Sequence, residues 1–309
     1  MPTLDPADTP YPAPAPAARQ TLARVRVAFQ GELGAFSEEA VHLLWRGEAA
    51  PVPVATFEDV MEAAETERVD YGLLPLESTL VGGLDAAYDL LSLHDGLCIV
   101  AEVIVPVHLC LLALPGAKLR ELRTLASHPV MLGQCSHFLA RHREIVAQPA
   151  WDTAGAAREV SEAGDRTRAA AGTRRAAERF GLEVLMEDIE DRPDSQMRFL
   201  AVGREPVSVV KGMPARTAAL CVLPHAAGAL VSAVQPMAAA GFNICHLATR
   251  PTREPWRYQF FLEFEHPAGD PRVAESLAAI RRASAEYRFL GTYPRWPHTD
   301  EQRENGLAW

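Results

Sequence analysis

Tyr71-Gly72-Leu73-Leu74-Pro75-Leu76-Glu77-Ser78-Thr79-Leu80-Val81-Gly82-Gly83 is the stretch on which the fold turns. It begins as a short apolar run suited to a buried strand. Pro75, which has no backbone N–H to donate, is expected to end ladder pairing. A carboxylate, two hydroxyls and two glycines follow, then the apolar-periodic segment Leu84–Leu93. The reading is strand, polar turn, helix start. Such a turn presents N–H and hydroxyl groups at the carboxyl end of a strand, where open α/β sheets bind small anions. A capped helix after an ordinary βα loop gives the same pattern. The functional reading therefore needs further turns of the same kind.

Outward from that stretch, strands and helices alternate. Val25–Phe29, Pro51–Val54, Leu73–Leu76 and Leu97–Val105 read as strands, with helices at Ser37–Trp45, Phe57–Glu67 and Leu84–Leu93. A second set follows Pro106: strands at Val107–Leu114, Leu122–Ala126, Val146–Gln148, Arg168–Ala171, Val184–Ile189 and Phe199–Gly203. Its helices are Val130–Arg141, Thr153–Glu162 and Arg174–Phe180. This alternation implies mostly parallel sheets flanked by helices, in two lobes with a cleft between them. A third set, βαββαβ from Arg216 to Thr292, has the order of a ferredoxin-like domain. The boundaries read as a disordered Pro/Ala-rich extension over 1–24, a two-lobed region over 25–205, a linker over 206–214, the third unit over 215–293 and a polar tail over 294–309.

Composition narrows the function. Thirty basic against 40 acidic residues leave no basic face for nucleic acid or an anionic membrane. No apolar run approaches the roughly 20 residues of a transmembrane helix. The five cysteines, Cys98, Cys110, Cys135, Cys221 and Cys245, are scattered and read as reduced thiols of a cytoplasmic protein. No CxxC or HxxxH pair occurs, so no metal and no cofactor is expected. His128 before Pro129 reads as a helix cap and His246 as a packed sheet residue.

More polar turns do occur. Gly31-Glu32-Leu33-Gly34-Ala35-Phe36-Ser37 follows the first strand with Ser37 placed as cap; Ser127-His128-Pro129, Asp152-Thr153-Ala154-Gly155 and Gly172-Thr173 open later helices. Together they would form a ring of N–H and O–H donors around a small molecule bearing two carboxylates. Here the chain resembles the prephenate dehydratase and arogenate dehydratase family across nearly all of residues 25–292. The resemblance is carried by Val27–Ser37, Leu74-Pro75-Leu76-Glu77, Ala101-Glu102-Val103 with Pro106-Val107-His108, and Leu112–Gly116. Ser127-His128-Pro129 with Gln134-Cys135, and Asp152–Ala157, complete it.

The resemblance implies a fold of two lobes similar to periplasmic-binding-protein type II lobes, plus a C-terminal ACT domain. It implies conversion of prephenate to phenylpyruvate with loss of carbon dioxide and water, in phenylalanine synthesis. Ser37, Ser78, Gln134, Thr153 and Thr173 would then hold substrate. Arg198, Glu77, Thr79 and His108 would carry or order the chemistry, with Glu102 beside them and Arg198 forked on a substrate carboxylate. Gly228, Ala229 and Leu230 with Thr249 and Arg250 stand where the family binds phenylalanine, implying L-phenylalanine as effector and a homo-oligomer, dimer or tetramer. Prephenate and arogenate fit the sequence equally.

Three stretches depart from the family pattern. Asn-x-Thr-Arg-Phe is here Ser195-Gln196-Met197-Arg198-Phe199, the central turn has Ser78 for asparagine, and Ala248-Thr249 replaces Glu-Ser. A thioether donates no proton, so Met197 removes the threonine associated with hydroxyl departure. A non-aromatising prephenate decarboxylase and a catalytically silent amino-acid sensor are the alternative readings.

Overall fold

The computed structural model describes residues 24–297. Residues 1–23 of the expected extension and 298–309 of the tail lie outside them. The first lobe contains β1 (Arg26–Gln30), α1 (Phe36–Leu44), β2 (Ala50–Val54) and α2 (Phe57–Glu65), then β3 (Tyr71–Ser78), β4 (Gly82–Gly83), α3 (Asp85–Leu93) and β5 (Cys98–Pro106). Each helix forms where an apolar stripe meets a start signal. In α2, Thr56 and Asp59 make a reciprocal capping box, while Val60, Met61, Ala63 and Ala64 turn inward.

The second lobe contains β6 (Cys110–Ala113), β7 (Thr124–Ser127), α4 (Pro129–Gly133), α5 (Ser136–Arg141) and β8 (Val146–Pro149). It continues through α6 (Thr153–Ala163), β9 (Arg168–Gly172), α7 (Arg174–Phe180) and β10 (Glu183–Met186). The chain then returns to the first lobe as β11 (Gln196–Gly203).

Both sheets are mixed, not mostly parallel. The first has order β2-β1-β3-β11-β5 with β4 on β3, and β11 runs antiparallel to β3 and β5. The cause is the return path: the chain leaves the first lobe from the end of β5 and re-enters at that same end. The second sheet, β10-β6-β9-β7-β8, has β6 antiparallel to β9 for the same reason.

Pro75 does not end β3, which runs on to Ser78. A register shift against β11 falls between Arg198 and Phe199, leaving Leu76 as the extra residue, and the pairing with β1 has already ended at Leu73. A bulge beside a free edge is where a strand admits proline. The helix expected over Val130–Arg141 is two, broken at Gln134-Cys135, and the strand expected from Val107 begins at Cys110.

The C-terminal unit is β12 (Pro214–Val222), α8 (Ala229–Ala239), β13 (Asn243–Pro251), β14 (Tyr258–Pro267), α9 (Pro271–Ala283) and β15 (Glu286–Pro294), with sheet order β13-β14-β12-β15. One face of its sheet packs under α8 and α9 through Leu262, Phe264 and Ile280. The other joins the first lobe's core through Ala218, Leu220, Phe261, Leu290 and Tyr293. Residues after Pro294 are not a free polar tail as far as they are described: Trp296 is buried and its backbone N–H donates to Glu102 Oε1 at 2.7 Å.

Candidate active site

The carboxyl ends of β1, β3 and β5 and the entry of β11 meet the second lobe. Met197 stands opposite both Ser78 and Val105, and Arg198 opposite Glu77 and Ile104. Directly paired antiparallel residues share a face. Ser78, Met197 and Val105 therefore form one row toward α1, while Glu77 and Arg198 project to the opposite face. Met197 and Val105 belong to the core that α1 covers.

Around this row the turns hold one another. Thr79 N donates to Gln196 O at 3.0 Å, and Gln196 N donates to the Thr79 hydroxyl at 3.0 Å. The Ser78 hydroxyl accepts from Leu80 N. From the second lobe, buried Gln134 accepts from the Ser195 hydroxyl at 3.4 Å. Ser78, Thr79 and Gln134 are thus gathered at one place by the returning strand.

Ser37, Thr153 and Thr173 lie at the second contact between the lobes. Ser37 is not the cap of α1: that position is Ala35, and the Glu38 carboxylate accepts from Gly34 N instead. Thr153 is the first residue of α6, capped by Asp152 through Gly155 N. Thr173 caps α7 and donates across to Gly34 O at 2.6 Å, so its hydroxyl fastens the lobes together. A Cβ on Gly34 would come 3.0 Å from Ala176 Cα, which explains glycine there. Arg158 and Glu32 close the same side with a forked pair at 2.8 and 2.9 Å. His128 accepts from Val130 N and caps α4, as its place before Pro129 implies.

Arg198 is placed differently from the sequence expectation. All five of its N–H groups are committed to protein partners: Glu102 at 2.6 Å, Glu77 at 3.0 Å, both oxygens of Glu263 at 2.8 Å, and the Tyr293 hydroxyl at 3.3 Å. Glu263 and Tyr293 belong to the C-terminal unit, so the fork grips that unit and not a substrate. Glu77 follows, its other oxygen 3.0 Å from His246 Nδ1 of β13. Burial would raise the Glu77 carboxyl, but the His246 hydrogen bond and the Arg198 charge outweigh it and hold it at about 2. Buried Arg216 joins Glu102 to Glu265 in the same network. The residue class was right for an ion pair; the strand's period of two decided the face.

On the α1 face, beside Val105, lies a cavity of about 550 Å³ between α1, the hinge strand after β5, the start of α7 and the loop after β10. Glu39, His42, His108, Arg174 and Arg175 line it. His108 bonds Glu190 at 3.0 Å. With Asp188, these two bring possible metal-ligand atoms within 4.8 Å of one another, an approach the His108–Glu190 bond itself explains. Burial pushes the Glu39 carboxyl up to about 7; the Arg175 charge pulls against it, Glu38 adds to the rise and His108 opposes it. Neither Glu39 nor Arg175 was singled out from the sequence. The available signal was spacing: Glu39 shares a helix face with Phe36 and Leu43, which places a carboxylate on an apolar stripe.

In the C-terminal unit, Gly228 caps α8 with φ +81° beside a cavity of about 160 Å³ lined by Ala229, Leu230, His225 and Trp256. Arg250 is not at that turn. It is forked on Asp89 of α3 at 2.8 and 2.7 Å, while Thr249 alternates to the other face of β13.

A family model described as prephenate dehydratase matches residues 27–207. Arogenate dehydratase 2 of Petunia hybrida is 33% identical over 309 residues, covering 93% of this chain and 78% of the relative. Among solved structures, GqqA, described as a novel type of quorum quenching acylase, superposes with a TM-score of 0.81 at 31% identity, covering 88% of this chain and 98% of that one. The prephenate dehydratase of Arthrobacter aurescens, solved in complex with L-Phe, has a TM-score of 0.81 at 30% identity, with 88% and 90% covered.

Proposed function

The chain belongs to the prephenate dehydratase family, and from that premise we propose that it dehydrates and decarboxylates prephenate, or its amino analogue arogenate, in phenylalanine synthesis. The observation that carries the reading is the gathering of Ser78-Thr79, Gln134 and Ser195-Gln196, three distant stretches of the matched region, at the entry of β11. Substrate bound there meets the side chains of Ser78, Thr79 and Gln134 and few fixed charges. The reaction asks for little more: a proton must reach the departing ring hydroxyl, and aromatisation drives the rest.

Acyl transfer of the kind named for GqqA needs an activated nucleophile. The Thr79 and Ser195 hydroxyls are bonded instead to the backbone of Gln196 and to the Gln134 amide. Dehydration is the reading these contacts support.

The C-terminal unit is an ACT-type regulatory domain in this proposal, taking L-phenylalanine at the Gly228 turn, where a left-handed glycine lets a carboxylate approach the start of α8. Arg250, held by α3, links that unit to the first lobe. The protein works in the cytoplasm as a homo-oligomer. No described helix is long and apolar enough to cross a membrane.

Product analysis tests the assignment. Incubation with prephenate should yield phenylpyruvate, and with arogenate phenylalanine; a product that keeps a non-aromatic ring establishes the decarboxylase alternative. Thermal unfolding and sedimentation with millimolar L-phenylalanine test the effector, which should raise the melting temperature by linkage.

A further inference from the structure

His246 reaches the first lobe by way of an irregularity in β13. Between Ile244 and His246 the register against β14 shifts, leaving Cys245 as the extra residue. Ile244 packs into the core under α8 and α9, and in a regular strand His246 would share that face. The bulge turns it instead to the side of its partner Glu263, which grips Arg198. There its ring stacks on Tyr88 of α3 with centroids 5.6 Å apart and meets Phe261 edge-on at 5.7 Å. Both ring nitrogens are used: Nδ1 lies 3.0 Å from Glu77 Oε2, and Nε2 lies 2.7 Å from the Tyr88 hydroxyl. The Glu77 carboxyl, held at about 2, can only accept, so Nδ1 carries a proton. Burial pushes the Tyr88 hydroxyl up, so it stays neutral and can donate to Nε2.

These two partners stand at the two ends of one hairpin. β3 and β4 pair Glu77 with Gly83 and Ser78 with Gly82, and Leu84 N closes on Leu76 O at 2.8 Å. Tyr88 presses on the far strand, where a Cβ on Gly83 would come 2.8 Å from its hydroxyl. One imidazole thus ties the base of the hairpin on both sides. We infer that His246 is a positioning residue of the candidate site: it clasps Glu77 to Tyr88 and so fixes where the Ser78 and Thr79 hydroxyls stand. The inference rests on the dehydratase reading, which puts substrate at that turn. The third unit thereby takes part in building the site.

The bond from Nδ1 to the Glu77 carboxylate is charge-assisted, the kind whose loss shifts a local equilibrium ~10-fold or more. Without it Glu77 keeps Arg198, which does not touch α3, and the two ends of the hairpin lose their common partner. The docking of the two units does not depend on His246. Arg250 stays forked on Asp89, and Arg198 on Glu263.

His246→Phe keeps a ring between Tyr88 and Phe261 and removes both hydrogen bonds. In the full chain, kcat/KM for prephenate or arogenate should fall ~10-fold or more, with circular dichroism showing a folded protein. Hydrogen exchange at the Thr79, Leu80 and Leu84 amides should quicken ~10-fold while amides of β7 and β9 keep their protection. His246→Asn, whose amide nitrogen can stand where Nδ1 stood, should recover part of both losses by donating to Glu77. Tyr88→Phe should lose part of the activity and add little in the His246→Phe background, since both act through one clasp. A packing role alone predicts a lower melting temperature with parent-like kcat/KM and parent-like exchange at the hairpin, and that result overturns the proposal. No turnover of either substrate by the parent overturns the dehydratase reading, whereas unchanged hairpin exchange in His246→Phe overturns the clasp whether or not the parent is active.

Discussion

Two sets of charged groups lie on opposite faces of the first lobe's sheet, one strand residue apart. Toward the C-terminal unit, every donor of Arg198 meets an acceptor, and the Glu77 and Glu263 carboxyls beside it are held below the usual carboxylate range. Toward the hinge, Glu39 and Arg175 face open space and the carboxyl is pushed toward neutrality. Saturated charge in a dry interface fixes geometry; unsaturated charge beside a cavity is what chemistry can use. By this measure Arg198 is structural, although its neighbours in the chain place it at the site.

The strongest way to break the comparison is Arg198→Met. It leaves Glu263 buried without its forked partner and Glu102 with Arg216 alone, and should cost roughly 3–5 kcal/mol of stability in urea unfolding. A variant that stayed fully stable but bound substrate weakly would return Arg198 to the active site.

Gly291→Ala attacks the same interface without touching charge. Gly291 has φ +147°, and a Cβ there would press into the Ile99 carbonyl of β5. A loss of roughly 2–4 kcal/mol is expected, combining strain and overpacking.

The two carboxylates also predict opposite pH behaviour. Glu77, depressed to about 2, contributes stability that is present above an ordinary unfolded carboxyl value of ~4.3 and lost as pH falls from there toward 2. Glu39, raised to about 7, acts in reverse. Its ionisation opposes folding increasingly from ~4.3 up to 7, and the penalty is constant above that. Glu39→Gln should therefore stabilise the protein at pH 8 by on the order of 1 kcal/mol and leave it unchanged at pH 4.

The smallest effect belongs to the closure between lobes. Arg158→Ala removes a partly exposed pair with Glu32 and should cost less than about 1 kcal/mol, seen mainly as a higher KM at low salt.

Much of this molecule was legible in its sequence. Apolar periodicity and turn residues located nearly every element, and βαββαβ order identified the third unit, because these are local properties of the chain. What was not legible depended on pairing. Pro75 stays in its strand because a bulge forms against β11, a partner more than 100 residues away. Arg198 and Arg250 turn away from the expected sites because alternation on β11 and β13 aims them at carboxylates of another unit. Ser78, Thr79 and Gln134 were named through the family resemblance, and the structure gathers them at the entry of β11. Glu39 was missed because a carboxylate on a helix usually marks its wet face, and only the second lobe makes this one enclosed.

The return of β11 also bears on how the protein is made. β11 lies between β3 and β5, yet about 90 residues separate it from the end of β5. At ~5–20 residues per second a ribosome needs roughly 5–20 s to deliver it, during which β3 and β5 have no common partner. The second lobe is one continuous stretch and can close during that interval. The first lobe, begun earliest, is finished late, and Arg198 must then wait for Glu263 to emerge before its charge is neutralised. A nascent chain halted near residue 205 would hold a complete pair of lobes with an exposed apolar sheet face and an unmatched arginine, making it a natural client for chaperones.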